Sequence, residues 1–304
     1  MTKIAFLILP NIHLLDLAGP DQVFLEAIDQ GAPIEVEYCG LNYSADSSSN
    51  IHISKLKKFD EIILNEGDYL IVPGATVKSL TAHSFPLEKE LKTWLLNAYN
   101  NGVNICSVCT GAFLLGRTGL LDNKKCTTHW KHVKRLQEKF PSAHVADDIL
   151  FASDNRILTS AGVTAGIDLA LYIVGKIQDE RIAYKVAREL VIYLRRSGSD
   201  SQQSVFMKYR NHINPGIHSV QDFVQDNINT KITLDALASV ACTSPRNLTR
   251  IFKKETGVTV NYYVTLIRKK ILQRLNEQKN VSRKQMATLC GLKSERQVIR
   301  LLKD

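Results

Sequence analysis

Gly102-Val103-Asn104-Ile105-Cys106-Ser107-Val108-Cys109-Thr110-Gly111-Ala112-Phe113-Leu114-Leu115 reads as a short apolar strand that stops at a cysteine and turns at once into a helix. The small residues Thr110, Gly111 and Ala112 suit a tight strand-to-helix turn that holds a side chain in strained backbone geometry. Such a turn presents Cys109 at the carboxyl end of a strand and at a helix N-terminus. Open α/β sheets bind ligands there, and a thiolate or an anion is stabilised there.

Outward from this stretch, apolar runs alternate with helical periodicity. Residues 3–9, closed by Pro10, suit a strand buried on both faces. Residues 11–17 read as a loop bearing Asp16, and Gly19-Pro20 as the opening of a helix to Asp29. Further strands are expected at 34–41, 51–56, 69–74, 149–152 and 156–159, with a Ser/Asn/Asp-rich loop at 43–50. Helices are expected at 85–100, 162–177 and 180–193. This alternation implies βαβ units and a doubly wound parallel sheet. Residues 195–203, rich in Arg, Ser, Gly and Gln, mark a linker region. From about residue 217 no strand pattern remains. Segments 220–227, 234–240, 245–255, 262–276, 283–289 and 294–303 all read as helices of an all-α module.

The charge is divided between these halves. Residues 1–200 carry 21 Lys+Arg against 23 Asp+Glu, a net of −2, whereas residues 201–304 carry 18 against 7, a net of +11. A difference of that size points to a phosphate-bearing partner on the C-terminal side. The six cysteines, at 39, 106, 109, 126, 242 and 290, form no regular framework. Cys106 and Cys109 make a C-x-x-C without a second pair, so no metal site and no cofactor are expected. The N-terminus does not resemble a signal peptide and no apolar run approaches a membrane span, so a cytoplasmic chain with reduced thiols is expected.

The basic half repeats itself. Leu237-Ala238-Ser239-Val240-Ala241-Cys242 answers Met286-Ala287-Thr288-Leu289-Cys290-Gly291, and Leu248-Thr249-Arg250-Ile251-Phe252-Lys253 answers Val298-Ile299-Arg300-Leu301-Leu302-Lys303. Each pair follows the helix-turn-helix plan, with a small residue (Ala238, Ala287) where two helices cross. The segments 243–257 and 290–297 resemble the two recognition helices of AraC-family transcription regulators. The resemblance implies that each second helix enters the major groove, with the helix between them, about 15 residues or roughly 23 Å long, as spacer. Arg246, Asn247 and Arg250 in the first reader, and Ser294, Arg296, Gln297 and Arg300 in the second, are the DNA-contacting candidates, since Arg suits guanine and Asn or Gln adenine. Lys253, Lys254 and Lys303 suit phosphates. The family usually has Pro where this chain has Val260. A Gly…Pro…Tyr brace also follows the family's second reader but has no counterpart before Asp304, so a less rigid second reader is expected.

Ser107-Val108-Cys109-Thr110-Gly111-Ala112, Gly119-Leu120-Leu121, Thr127-Thr128-His129-Trp130 and the segment 159–168 resemble the ThiJ/PfpI superfamily, a class I glutamine amidotransferase-like α/β fold. They are most similar to its members fused to AraC-type domains. Leu15-Asp16-Leu17-Ala18-Gly19-Pro20 and Val72-Pro73-Gly74-Ala75 fit the same pattern. Relatives with peptidase or deglycase activity carry His after the cysteine, where this chain has Thr110. Isocyanide hydratases keep Cys-Thr-Gly with an acidic residue in the first loop, the place of Asp16, which makes Cys109 with Asp16 the candidate nucleophile pair. A carboxylate such as Asp16 near the thiol would either share a proton with it or raise its pKa, while the helix N-terminus lowers it. His129 is read as a structural histidine at the pocket mouth, and Asp168 as a local cap or pairing group.

The expected architecture is therefore a doubly wound parallel-sheet domain (a flavodoxin-like sandwich) at 1–198 for ligand sensing and dimerisation. A linker at 199–216 follows, and then an all-α DNA-binding domain with two helix-turn-helix units at 217–304. The expected function is a transcription regulator, not an enzyme, that binds double-stranded promoter DNA as a homodimer. It senses a small-molecule effector in a pocket lined by Asp16, Gly74, Ala75, Cys109, Thr110 and His129, without a membrane partner. The alternative is an isocyanide-hydratase-like, cysteine-dependent enzyme with an appended basic module.

Overall fold

Alternation along the first strand decides how the N-terminal half is layered. In β1 (Thr2–Ile8), Ala5 and Leu7 face one apolar core, whereas Ile4, Phe6 and Ile8 face another. A strand buried on both sides belongs to the middle of a covered parallel sheet. In the computed structural model, which describes residues 1–81, 89–192, 196–202, 209–277 and 281–303, the chain forms two compact units, 1–202 and 203–304.

The first unit is built on β1, β2 (Ile34–Gly40), β3 (Lys57–Lys58), β4 (Tyr69–Val72), β5 (Asn104–Val108), β6 (Phe151–Asp154) and β7 (Ile157–Ser160), in the sheet order β6-β7-β5-β4-β1-β2-β3. Every neighbouring pair is parallel except β6 and β7, which form an antiparallel hairpin turning at Asn155 (φ 55°). Among the described residues, α1 (Leu14–Asp29), α2 (Val77–Thr81), α3 (Lys89–Asn100), α4 (Ala112–Thr118) and α5 (Val133–Lys139) lie between strands, and α6 (Thr164–Ile177) and α7 (Glu180–Glu189) follow the last one. α1, α6 and α7 cover one face of the sheet, and α2 to α5 cover the other.

The doubly wound sheet expected from sequence is thus present, with one antiparallel strand at its edge. The helix expected at Gly19-Pro20 starts earlier, at Leu14, so Asp16 lies in its first turn rather than in a loop. Pro20 sits inside α1, where its missing N–H spares only the bond to the Asp16 carbonyl. Gly19 and Pro20 instead mark a helix crossing: a Cβ on Gly19 would meet Ile167 at 3.0 Å, and one on Gly166 would meet Pro20 at 3.2 Å. The segment 43–56, read as a loop and a strand, folds as a two-stranded antiparallel pair, Ser44–Asp46 with His52–Ser54, outside the main sheet. Residues 85–88, 193–195 and 203–208, on which parts of the expected helices and linker fall, lie outside the described residues.

The second unit contains α8 (Pro215–Asp226), α9 (Leu234–Val240), α10 (Pro245–Thr256), α11 (Val260–Glu277), α12 (Arg283–Leu289) and α13 (Glu295–Lys303). Leu237, Ala238, Leu248, Phe252, Tyr263 and Ile267 form the first apolar cluster; Leu272, Met286, Ala287, Cys290, Val298 and Leu301 form the second. α11 contributes to both, and its 18 residues give about 27 Å of rise, longer than expected. Val260, where the AraC family usually has proline, opens α11, and Thr259 Oγ1 accepts from the Tyr262 N–H at 3.2 Å as a cap.

Of the stretch 199–216, read as a linker, the described residues on either side of 203–208 are each held by their own unit. Ser201 and Gln202 hydrogen-bond to Asp148 in the first unit, whereas Tyr209 packs in the second, Arg210 pairs with Asp222 and Pro215 opens α8. No helix among the described residues is long and apolar enough to cross a membrane.

Candidate functional site

The turn after β5 holds Cys109 at φ 56°, a left-handed conformation that strains a non-glycine residue. Cys109–Gly111 form a single 3-10 turn that leads directly into α4. Gly111 is obligatory there: a Cβ would lie 2.2 Å from the Val72 carbonyl oxygen. The turn therefore packs its backbone against the end of β4, which brings Gly74 and Ala75 alongside. Thr110 clamps the two segments together, its hydroxyl donating to the Ala75 carbonyl at 2.6 Å and accepting from the Ala75 N–H at 3.0 Å.

Asp16 reaches this point from the first turn of α1. It is 1% exposed, and a Cβ on Gly74 would stand 2.3 Å from its Oδ2 and 3.0 Å from the Cys109 Cβ. Asp16 Oδ1 accepts the Val163 N–H at 2.7 Å, and Oδ2 lies 3.3 Å from His13 Nδ1. Burial pushes the Cys109 thiol well above its ordinary range, the Asp16 charge and hydrogen bond raise it further, and Thr110 opposes them weakly. A buried thiol beside a carboxylate keeps its proton and donates it to that carboxylate. His129 sits half-buried near the group; burial and then Lys131 hold its imidazole below the usual value, while Asp16 opposes them.

The fold thus gathers Asp16, Gly74, Ala75, Cys109 and Thr110 into one buried cluster, with His129 in electrostatic reach. It also brings a His13 ring nitrogen, an Asp16 oxygen and Cys109 Sγ within 4.8 Å of one another. That mixed nitrogen, oxygen and sulfur set is of the type zinc uses, although sequence reading had pointed to no metal ligands. One Asp16 oxygen is already taken by Val163, so a metal would use the other. Asp168 is buried in α6 and pairs with Arg196, a longer-range contact than the local pairing read from sequence.

In the second unit the two helix pairs have matching turns. Cys242 (φ 48°) and Gly291 (φ 59°) occupy the same left-handed position after α9 and α12. The next residues close the same bond in both, Thr243 N–H to Ala238 O at 2.9 Å and Leu292 N–H to Ala287 O at 2.8 Å. On α10, Leu248 and Phe252 are buried while Arg246, Arg250, Lys253 and Lys254 are exposed. On α13, Val298 and Leu301 are buried, while Arg296 and Arg300 are exposed, with Ser294 exposed just before it. Asn247 and Gln297 are half-buried and locally engaged. Asn247 donates to Thr243 Oγ1 at 2.8 Å and accepts from Arg250 at 2.9 Å, and Gln297 accepts the Lys293 N–H at 2.8 Å. The side chain of Lys303 lies outside the described residues.

Residues 2–176, more than half of the chain, match the DJ-1/PfpI family. The chain belongs to that family. Residues 224–265 match the bacterial regulatory helix-turn-helix proteins of the AraC family, so this DJ-1/PfpI protein also carries an AraC-type segment. It is 30% identical over 207 residues to the HTH-type transcriptional regulator GbdR of Pseudomonas aeruginosa, covering 68% of this chain but only 56% of the relative. It is also 30% identical over 171 residues to the isonitrile hydratase of Pseudomonas putida, covering 56% of this chain and 69% of the enzyme. Among solved structures, a ThiJ/PfpI family protein from Pseudomonas syringae aligns with TM-score 0.56 and 25% identity, covering 68% of this chain and 80% of the other.

Several residues of this DJ-1/PfpI site carried no sequence signal as site groups. His13 precedes a helix whose start was misplaced. Val163 acts through its backbone N–H at φ 52°, which no side-chain type announces. Gly162 (φ +86°) is required because a Cβ would collide with Cys109 Cβ at 2.1 Å, and Thr128 Oγ1 donates to the Cys109 carbonyl at 2.7 Å. Thr128, Gly162 and Val163 lie in the stretches 127–130 and 159–168 that carry the family resemblance, but nothing in those stretches marked them as site groups.

Proposed function

We propose that this chain is a cytoplasmic, homodimeric transcription regulator. Residues 1–198 sense a small metabolite at the Cys109 cluster and carry the dimer contact, and residues 217–304 bind promoter DNA. The observation that carries this reading is the second unit: two helix-turn-helix pairs with matched turns, each exposing arginines on its second helix, in a segment of net charge +11. Arg246, Arg250, Arg296 and Arg300 read base edges, Ser294, Lys253 and Lys254 hold phosphates, and Asn247 and Gln297 set the geometry of the readers. The α11 spacer of about 27 Å lets both readers engage one face of a duplex.

The test is fluorescence anisotropy of the full chain on the DNA upstream of its own gene, with a scrambled duplex as control and salt as variable. Preference for the native duplex with a steep salt slope is the expected result. Weak binding indifferent to sequence would overturn it. Sedimentation at the same concentrations reads the dimer.

A second reading, a cysteine-dependent hydratase, is favoured by the Asp16–Cys109 juxtaposition and the likeness to isonitrile hydratase. Against it stands a thiol held protonated by burial and by Asp16. Turnover of an isonitrile that disappears in Cys109→Ala would establish it.

A further inference from the structure

Residues 196–202, the last described segment of the first unit, form a strap held at both ends. At one end, Arg196 Nη2 pairs with the buried Asp168 carboxylate and donates to Thr164 Oγ1 at 2.9 Å. Thr164 follows Val163, whose N–H is held by Asp16. In the middle, the Leu150 N–H lies 2.9 Å from both the Gly198 and the Asp200 carbonyls. At the other end, Gln202 Nε2 donates to Thr127 Oγ1 at 3.3 Å and to the Thr128 carbonyl at 3.0 Å. The Thr128 hydroxyl in turn donates to the carbonyl of Cys109. The Arg196 end thus bonds the neighbour of a residue held by the cluster, and the Gln202 end bonds such a residue directly.

We propose that this strap is the output of the cluster: a ligand that moves Asp16 or turns the Cys109 peptide releases residues 196–202 through Val163-Thr164-Arg196 and through Thr128-Gln202. The proposal rests on the sensing role given above and adds the route by which it is transmitted. The two ends are held differently. Release at Arg196 leaves Asp168 buried without its cation, so that end favours docking. At the other end Ser201 and the Gln202 N–H are bonded to Asp148, but Gln202 docks with its side-chain amide oxygen buried and unpartnered, a cost that release removes. A ligand biases such an equilibrium only through contacts that differ between the two states. The Cys109 carbonyl and the Asp16 carboxylate supply them, because each is bonded to one arm of the relay.

Hydrogen–deuterium exchange on the full chain tests this without DNA and without an identified effector, using substitution at the cluster as the perturbation. Asp16→Asn is expected to raise exchange across residues 196–202 at least threefold while β1 is unchanged. In a background carrying Thr128→Val and Arg196→Ala, where both arms are cut, the same substitution is expected to leave the strap's exchange unaltered. Should Asp16→Asn not fold, Cys109→Ser supplies the perturbation. No response of the strap in the parent chain would overturn the proposal, as would an undiminished response with both arms cut. Absence of DNA binding, by contrast, would count against the regulator reading and leave these outcomes intact.

Discussion

The backbone N–H of Val163 donates to Asp16 Oδ1 at 2.7 Å, joining the entry of α6 to the first turn of α1 across 147 positions of chain. Val163 makes this bond at φ 52° and ψ −120°, a conformation that a β-branched residue resists. Strain of this kind persists where surrounding contacts over-determine it, and it clusters at functional sites.

Val163→Gly removes the strain and keeps the N–H. Because the side chain is 39% exposed, little packing is lost. Urea unfolding is expected to show a gain of about 1 kcal/mol in the first unit. Asp16→Ala removes the acceptor and is expected to cost about 2 kcal/mol by the same measurement. A loss of stability in the glycine variant would show that the Val163 side chain, not its backbone, matters here.

The Cys109 thiol offers a kinetic check. Burial is the first cause of its raised pKa and the Asp16 charge the second. Iodoacetamide at pH 8 is therefore expected to label exposed Cys242 much faster than Cys109. Asp16→Asn removes the charge but not the burial, so it lowers the pKa and is expected to speed labelling of Cys109. Peptide mass spectrometry reads both sites. Slower labelling in the variant would mean that Asp16 activates the thiol, as the hydratase reading requires.

The fold class was legible because buried parallel strands and amphipathic helices write their period into long apolar runs, as in β1, β4 and β5. Cys109 and Thr110 stood out through the small residues of their turn, whereas Asp16, Gly74 and Ala75 were named as site groups only through the resemblance to the ThiJ/PfpI superfamily. What stayed hidden acts through the backbone or at long range. The N–H of Val163, the bond from Thr128 to the Cys109 carbonyl and the Arg196–Asp168 pair leave no local pattern. The start of α1 was misplaced for a related reason. Gly19-Pro20 reads as a helix opening, yet its glycine and proline serve a helix crossing with α6.

Acid is expected to destabilise the first unit through two histidines. His129 and His132 both have folded pKa values below 6.5, burial being the largest cause in each, followed by Lys131 for the first and by His129 for the second. Lowered values mean that the unfolded chain takes up protons first as pH falls. The associated stability is present above pH 6.5 and is lost as pH drops through that value and on through the folded pKa. Thermal melts between pH 8 and about pH 5 should show the decline, and His132→Phe should flatten it. An unchanged slope in the variant would assign the acid sensitivity elsewhere.

On the helical side, residues that read bases and residues that hold phosphates separate by salt and sequence dependence. Lys254→Ala, on an exposed position of α10, is expected to weaken binding to native and scrambled duplexes alike and to lower the salt slope by about 1. Arg250→Ala is expected to cost about 1–3 kcal/mol on the native duplex alone, narrowing its advantage over the scrambled one. Asn247 bridges Thr243, in the turn before α10, and Arg250 on it, so its loss should act through Arg250. Asn247→Ala is expected to reduce specificity in the parent and to add little once Arg250 is alanine, a non-additivity that a double-mutant cycle in the anisotropy assay measures. Full additivity would instead make Asn247 an independent reader of the duplex, as its residue type first suggested.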